Sequence, residues 1–238
     1  MKVCNVTTLT SVHVGSGRHL QKDTEFITAG DRAVVIDDRK VLEIIGKGQI
    51  DKWIACINRG SGLMDLIHTL NPEIEPDDIA LRGMDLVAGN ISNSRSLKEQ
   101  MLSGGEIPVI PGSSIKGSIR TAVFNYLLDH YQTEPFGRYD IFNKRDKIDD
   151  SSIVKKHLGD NPNNDLLRFL TVGDALFNYE TWACNVLSMN QVSKGIRMEP
   201  GLSQLTECIP DRVEAEIRIS INHKQLELND GKRYLKNH

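Results

Sequence analysis

No run of the sequence approaches the ~20 apolar residues of a helical membrane span, and Met1 to Thr10 has neither the basic start nor the continuous apolar stretch of a secretory signal. Cysteine is scarce and scattered: Cys4, Cys56, Cys184 and Cys208 form no CxxC pair. That excludes a disulfide framework and a zinc knuckle, and it points to a reducing cytoplasm. Charge of one sign is also missing, with 29 Lys and Arg against 32 Asp and Glu for a net of −3. A protein that coats nucleic acid over its whole surface is disfavoured, whereas a local basic groove is not. The usual catalytic signatures are absent as well: there is no HExxH, no GxSxG and no histidine-cysteine spacing suited to a metal. Gly112 and Gly117 have the separation of the two Walker A glycines, but Ser118 stands where the lysine must follow. An NTPase is therefore not expected, and neither is a metal or an organic cofactor.

What the chain does have is a core and one conspicuous segment. The hydrophobic content of 39% over 238 residues is enough for one large domain or two small ones. The segment is Val109 to Phe124, VIPGSSIKGSIRTAVF. It reads as a short strand, a Gly-Ser turn at Gly112, Ser113 and Ser114, and an amphipathic helix whose inner side is Ile115, Ile119, Ala122, Val123, Tyr126 and Leu127. Lys116 and Arg120 sit four apart in its first turns, with no acid between Val109 and Phe124. A helix start offers unpaired N–H groups and the positive end of the dipole, glycine admits a ligand close to the backbone, and serine donates or caps. A lysine in the first turn opposes the dipole, so the arrangement suits a phosphate. Pro-Gly-Ser-Ser is equally ordinary turn chemistry with a serine cap, and both readings stand at this point.

Taken in order, Lys2 to Leu9 predicts a first strand, followed by SVHVGSGRHL as a tight glycine loop in which His13, Ser16 and Arg18 are candidates to face a phosphate or base, with Gly15 and Gly17 shaping it. Ala33 to Asp37 predicts a strand, Val41 to Ile57 and Gly62 to Leu70 helices, and Asn71 to Asp78 a surface break. Ile79 to Ala88 fits a short helix or a strand, and Ser92 to Ser103 reads as a helix ended by Gly104-Gly105. Residues 132–165 are a polar excursion with a short helix at Ile153 to Leu158. Leu166 to Val172 is a strand; Asp174 after it is either a catalytic carboxylate or a residue that closes the strand by hydrogen-bonding its own turn. Trp182 to Asn190 and Val213 to Ile221 are the last two strands, with a long basic loop between them carrying Lys194, Arg197 and Met198.

PGSSIKGSIRTA resembles the glycine-serine and basic helix motif of the RAMP proteins, the RNA-binding subunits of CRISPR effector complexes. The turn after the first strand, LTVGDA at Leu170, and Glu207-Cys208-Ile209-Pro210 after the basic loop are similar to further RAMP features. The resemblance implies an α/β (α+β) fold of the ferredoxin or RRM type: an antiparallel sheet with helices on one face. It implies one domain over residues 1–238, with a helical insertion at about 40–105 and a thumb-like hairpin at about 182–212. The early order of glycine turn, short strand and leucine-rich helices is most similar to the subunit that caps the far end of the guide in the type III-A Csm complex. That implies a non-catalytic subunit holding the 3′ part of the crRNA, with target RNA reached through the guide duplex and with the backbone RAMP subunit and the small subunit as partners. Gly112, Ser113, Ser114, Lys116, Gly117 and Arg120 would lead the RNA site, supported by His13, Gly15, Ser16, Gly17 and Arg18. In the thumb, Lys194 and Arg197 would face phosphates and Met198 would wedge against a base. The alternatives are a backbone-type subunit and a metal-dependent endoribonuclease acting on target or guide RNA, for which Asp31, Asp37 and Asp38 are the candidate carboxylates. Beyond Ile221 the chain is polar, without the further portion that capping subunits carry, which predicts a shortened or truncated member.

Overall fold

The computed structural model describes residues 1–87, 95–104, 106–131, 151–161, 163, 165–192 and 195–222. Among them the order begins β1 (Lys2–Thr7), β2 (Gly15–Gln21), β3 (Phe26–Ala29), β4 (Arg32–Ile36), α1 (Asp38–Ile45), α2 (Ile50–Arg59), α3 (Leu63–Leu70), β5 (Ala80–Val87) and β6 (Ser96–Gln100). It continues with β7 (Leu102–Ser103), β8 (Ile107–Ile110), α4 (Gly112–Tyr131), α5 (Ser151–Leu158), β9 (Leu170–Val172), β10 (Ala175–Leu176), β11 (Thr181–Val192), β12 (Gly195–Cys208) and β13 (Glu214–Ile221). The chain divides into two compact units and passes between them after Val6, Val109, Ala175 and Ala215.

The first unit holds a three-stranded sheet in the order β1-β13-β9 together with α4 and α5. β13 and β9 run antiparallel, Ile219 opposite Val172. Leu127, Leu158, Phe169 and Ile217 are buried here, and the Phe124 ring meets His157 edge-on at 6.1 Å. Tyr126, expected on the inner side of α4, is 54% exposed and stacks on His130, 4.0 Å between ring centres.

The second unit is built on a seven-stranded sheet in the order β2-β6-β12-β11-β5-β4-β3. It is a mixed sheet, because β11 runs parallel to β5 and β12 parallel to β6. Its two edge strands are joined by residues 22–25 alone, and Lys22 bridges to Phe26. Seven flat strands at ~4.8 Å spacing would put those edges almost 30 Å apart, farther than four residues reach at ~3.5 Å each. The sheet therefore curls until β2 and β3 approach each other. One of its faces buries Leu20, Phe26, Ala33, Val35, Met84, Leu97, Ala183 and Leu205. The alternate residues of β3 and β4, Ile27, Val34 and Ile36, pack against Val41 and Ile45 of α1 and Leu63 and Ile67 of α3. Asp37 starts α1 by accepting from the Arg39 N–H at 2.9 Å.

The long basic loop expected between Asn190 and Val213 is largely strand β12, and two further expectations change. The glycine segment from Gly15 is a strand paired with β6, irregular between Gly15 and His19, with Gly17 at φ 89°. Of the helix expected over Ser92 to Ser103, residues 92–94 lie outside the described residues and the rest holds β6 and β7, so the α-helical stretch ends at Leu70. Both were disguised by polar residues turned inward: Glu99 is 6% exposed and Gln100 fully buried, where an alternating strand pattern calls for apolar residues.

Candidate nucleic-acid interface

Helix α4 opens in a backbone crevice of the first unit. An added Cβ at Gly112 would stand 2.1 Å from the Val172 carbonyl oxygen and 2.7 Å from that of Gly173. The Gly112 N–H, one of the orphan donors of a helix start, is taken by Asp174 Oδ1 at 2.7 Å. Asp174 thus caps α4 rather than closing its own turn. Lys116 Nζ donates to the Leu170 carbonyl at 2.8 Å, and the Arg120 guanidinium pairs with Asp165. Lys116, Arg120 and Arg168 border an open cavity of about 470 Å³ whose other wall includes Asn161 and Asp165. Ser113, Ser114, Gly117 and Ser118 face solvent. Asp174→Ala is expected to cost about 1 kcal/mol by stripping the cap, read as a lower urea midpoint at unchanged slope; an unchanged midpoint would show the cap to be idle.

In the second unit, β2 turns its polar groups onto carboxylates. Ser16 Oγ donates to Glu99 at 2.7 Å, and Arg18 reaches Glu99 at 3.5 Å and Glu25 at 3.4 Å. His13 Nδ1 lies 2.6 Å from the Glu207 carbonyl oxygen, and Gly15 leaves room for that imidazole, whose Nε2 a Cβ would approach to 3.1 Å. The hub is Arg82 on β5. Its Nε and Nη2 reach the two oxygens of Glu207 at 3.0 and 3.1 Å, Nη2 also reaches Glu99 at 3.2 Å, and Nη1 pairs with Glu106. Burial works against the Arg82 charge, but the hydrogen bonds and charges of Glu207, Glu106 and Glu99 overcome it and hold its pKa above the ordinary arginine value. Glu207 is fully buried and also accepts from Thr181 Oγ1 at 2.8 Å and the Gln100 N–H at 3.1 Å.

The two longest strands of that sheet, β11 and β12, make a hairpin. β5 flanks β11 over Thr181 to Cys184, and β6 flanks β12 at Leu205 and Thr206. From Asn185 opposite Leu205 to Val192 opposite Gly195 they pair with each other, with an irregularity between Val186 and Ser188. Arg197 and Met198 have their backbone in β12, opposite Asn190 and Met189, while Lys194 lies outside the described residues.

A family model for the RAMP superfamily matches residues 5–235. The chain belongs to that superfamily. No curated protein matches the sequence. Among solved structures, it is similar to a chain of a Csm–crRNA–target RNA ternary complex of a type III-A CRISPR-Cas system, with a TM-score of 0.71 at 18% identity over 94% of this chain. It spans 65% of the length of that chain. It is also similar to Csm5 of T. onnurineus, with a TM-score of 0.69 at 17% identity, covering 96% of this chain and 70% of that one. At such identities the likeness is one of fold.

In this RAMP chain the leading candidates Gly112, Ser113, Ser114, Lys116, Gly117 and Arg120 share one helix start in the first unit, whereas His13, Gly15, Ser16, Gly17, Arg18, Arg197 and Met198 belong to the second. Ser16 and His13 are engaged with protein groups, as Lys116 and Arg120 are. Arg82, Glu99 and Glu106 escaped the sequence reading. A charged residue in ALRGMDLV and the glutamate of Glu207-Cys208-Ile209-Pro210 were the available signals, but nothing in the spacing pairs them. Among the described residues no group of three or more His, Cys, Asp or Glu is placed to hold a metal ion.

Proposed function

We propose that this chain is a non-catalytic crRNA-binding subunit of a type III-A CRISPR interference complex, seated near the 3′ end of the guide where it caps the backbone filament. The observation that carries the reading is the superfamily match over residues 5–235, which includes the GSSIKGSIR helix start. The partners are crRNA, target RNA through the guide duplex, the backbone RAMP subunit and the small subunit, in the cytoplasm.

The chemistry of α4 supports this role. Exposed Ser113 and Ser114 hydroxyls stand beside two cations that are positioned but not exhausted. An ammonium has three donors and Lys116 commits one to Leu170; a guanidinium has five and Arg120 commits only Nη1 to Asp165. The remaining donors of each suit phosphate oxygens, and contacts of this kind carry no base information, so any spacer is accepted. The carboxylates nearest the motifs have structural work: Asp37 caps α1 and Asp174 caps α4. That supports binding over cleavage.

Replacing both Lys116 and Arg120 with alanine is expected to weaken crRNA binding and flatten its salt dependence by roughly 1.4 in log-log slope, about 0.7 for each lost single-strand contact. An unchanged slope removes the pair from the site. Purification through a tag on this chain should recover short RNAs of shared 5′ sequence and larger subunits, with one copy of this chain per complex; several copies per complex would favour the backbone role.

A further inference from the structure

Cys184 and Cys208 are far apart in the sequence and adjacent in the sheet. Cys184 stands opposite Thr206 and Cys208 opposite Trp182, so the two lie diagonally across β11 and β12, and strand alternation sends both side chains to one face. Their sulfurs are 3.0 Å apart, with the Cys208 thiol donating. Closing that gap by about 1 Å reaches disulfide bond length. The pair sits where β5 and β6 flank the hairpin, at its sheet-anchored root.

We propose that Cys184 and Cys208 are a reversible dithiol–disulfide pair that a hydroperoxide closes, cross-linking β11 to β12 at the root of the hairpin.

The surroundings divide the labour between the two sulfurs. Cys184 is partly exposed and Cys208 only 3% exposed, so the oxidant meets Cys184 first. The hydrogen bond from Cys208 lowers the Cys184 pKa, against burial and with help from Ser11, to about 7, which makes it a thiolate near neutrality. The same contact and its own burial raise Cys208, which keeps its proton. The Cys184 thiolate attacks one peroxide oxygen; the O–O bond breaks, hydroxide leaves and takes a proton from solvent, and Cys184 becomes a sulfenic acid. Cys208 then attacks that sulfur; the S–S bond forms, the S–O bond breaks, and the hydroxide departs as water with the Cys208 proton. Two thiols are oxidised to one disulfide and one hydrogen peroxide is reduced to two waters. A small thiol reverses the step. Cys56 is buried and donates to the Gly62 carbonyl, and Cys4 is on β1, so both serve as internal references.

The test uses the whole reduced chain, treated with stoichiometric hydrogen peroxide, then alkylated under denaturing conditions, digested with trypsin and weighed. Lys194 and Arg197 lie between the two cysteines, so trypsin separates them unless they are bonded. The expected result is a Cys184–Cys208 linked peptide lighter by two hydrogens, abolished by dithiothreitol, with Cys4 and Cys56 fully alkylated. In Cys208→Ser the linked peptide should vanish and Cys184 should be trapped by dimedone as the sulfenic acid. Should that buried substitution prevent folding, Cys184→Ser serves: no linked peptide and no dimedone adduct at Cys208. Full alkylation of both cysteines in the oxidised wild type, or links to Cys4, Cys56 or a second chain in their place, overturns the proposal. The outcome is independent of whether the chain binds RNA.

Discussion

Arg82→Ala is expected to lower the unfolding free energy by about 3–5 kcal/mol, the cost of removing one partner from a buried ionic cluster. Its guanidinium is the shared counter-charge of Glu207, Glu99 and Glu106. Glu207 is fully buried and Glu99 nearly so, and neither moves to solvent without opening the sheet. Arg18 is a poor substitute: its side chain is 64% exposed and sits 3.5 Å from Glu99, so solvent screens it. Arg82→Lys should recover only part of the loss, since a single ammonium cannot engage both Glu207 oxygens and Glu99 together. Removing the Arg82–Glu207 pair together, as Arg82→Met with Glu207→Met, should cost clearly less than the sum of the two single changes. The measurement is urea unfolding of the wild type and of all five variants. A loss below about 1 kcal/mol for Arg82→Ala would contradict the buried-cluster account.

The second large effect comes from the opposite chemistry, one methyl group too many. Gly112→Ala is expected to cost about 3 kcal/mol, the upper end for overpacking, because the atoms in the way are main-chain oxygens that no rotamer change can move. The same substitution one turn on should do the reverse. Gly117 has nothing within 4 Å of a built Cβ and is exposed in the helix interior, so Gly117→Ala should stabilise by about 0.5–1 kcal/mol. If RNA lies against α4, that stabilised variant should nevertheless bind crRNA more weakly, which separates a fold glycine from an interface glycine five residues away. Equal destabilisation by both would mean that the crevice at Gly112 is not what selects glycine there.

Periodicity made several elements legible: the alternation of VEAEIRISI gives β13, AVVID gives β4, and the apolar spacing from Val41 to Leu70 gives α1, α2 and α3. The start of α4 was legible too, because proline fixes φ, glycine tolerates a backbone approach that other residues cannot, and serine bonds its own backbone. Its partners were not. Asp165, Leu170 and Asp174 follow Arg120, Lys116 and Gly112 by 45, 54 and 62 residues, and no local rule links them. β2 and β6 were obscured for a physical reason: Ser16 and Glu99 point inward to satisfy each other and Arg82, the buried Gln100 side chain serves the Val14 N–H and the Met101 and Val109 carbonyls, and a strand that buries polar groups loses the alternation by which it is recognised.

The sheet of the first unit has a kinetic consequence. Its central strand is β13, and β1 lies beside it at Lys2–Thr7 while β13 spans Glu214–Ile221. A ribosome delivers β1 long before β13, so β1 must wait for all the chain between them before it finds its ladder. The entropic penalty for so long a closure is modest, since each doubling of the loop adds only about 0.6 kcal/mol. The delay falls on the rate instead, as it does wherever contacts of wide sequence separation dominate. Until β13 emerges, β1 is an unpaired edge, exposed to any strand that will have it.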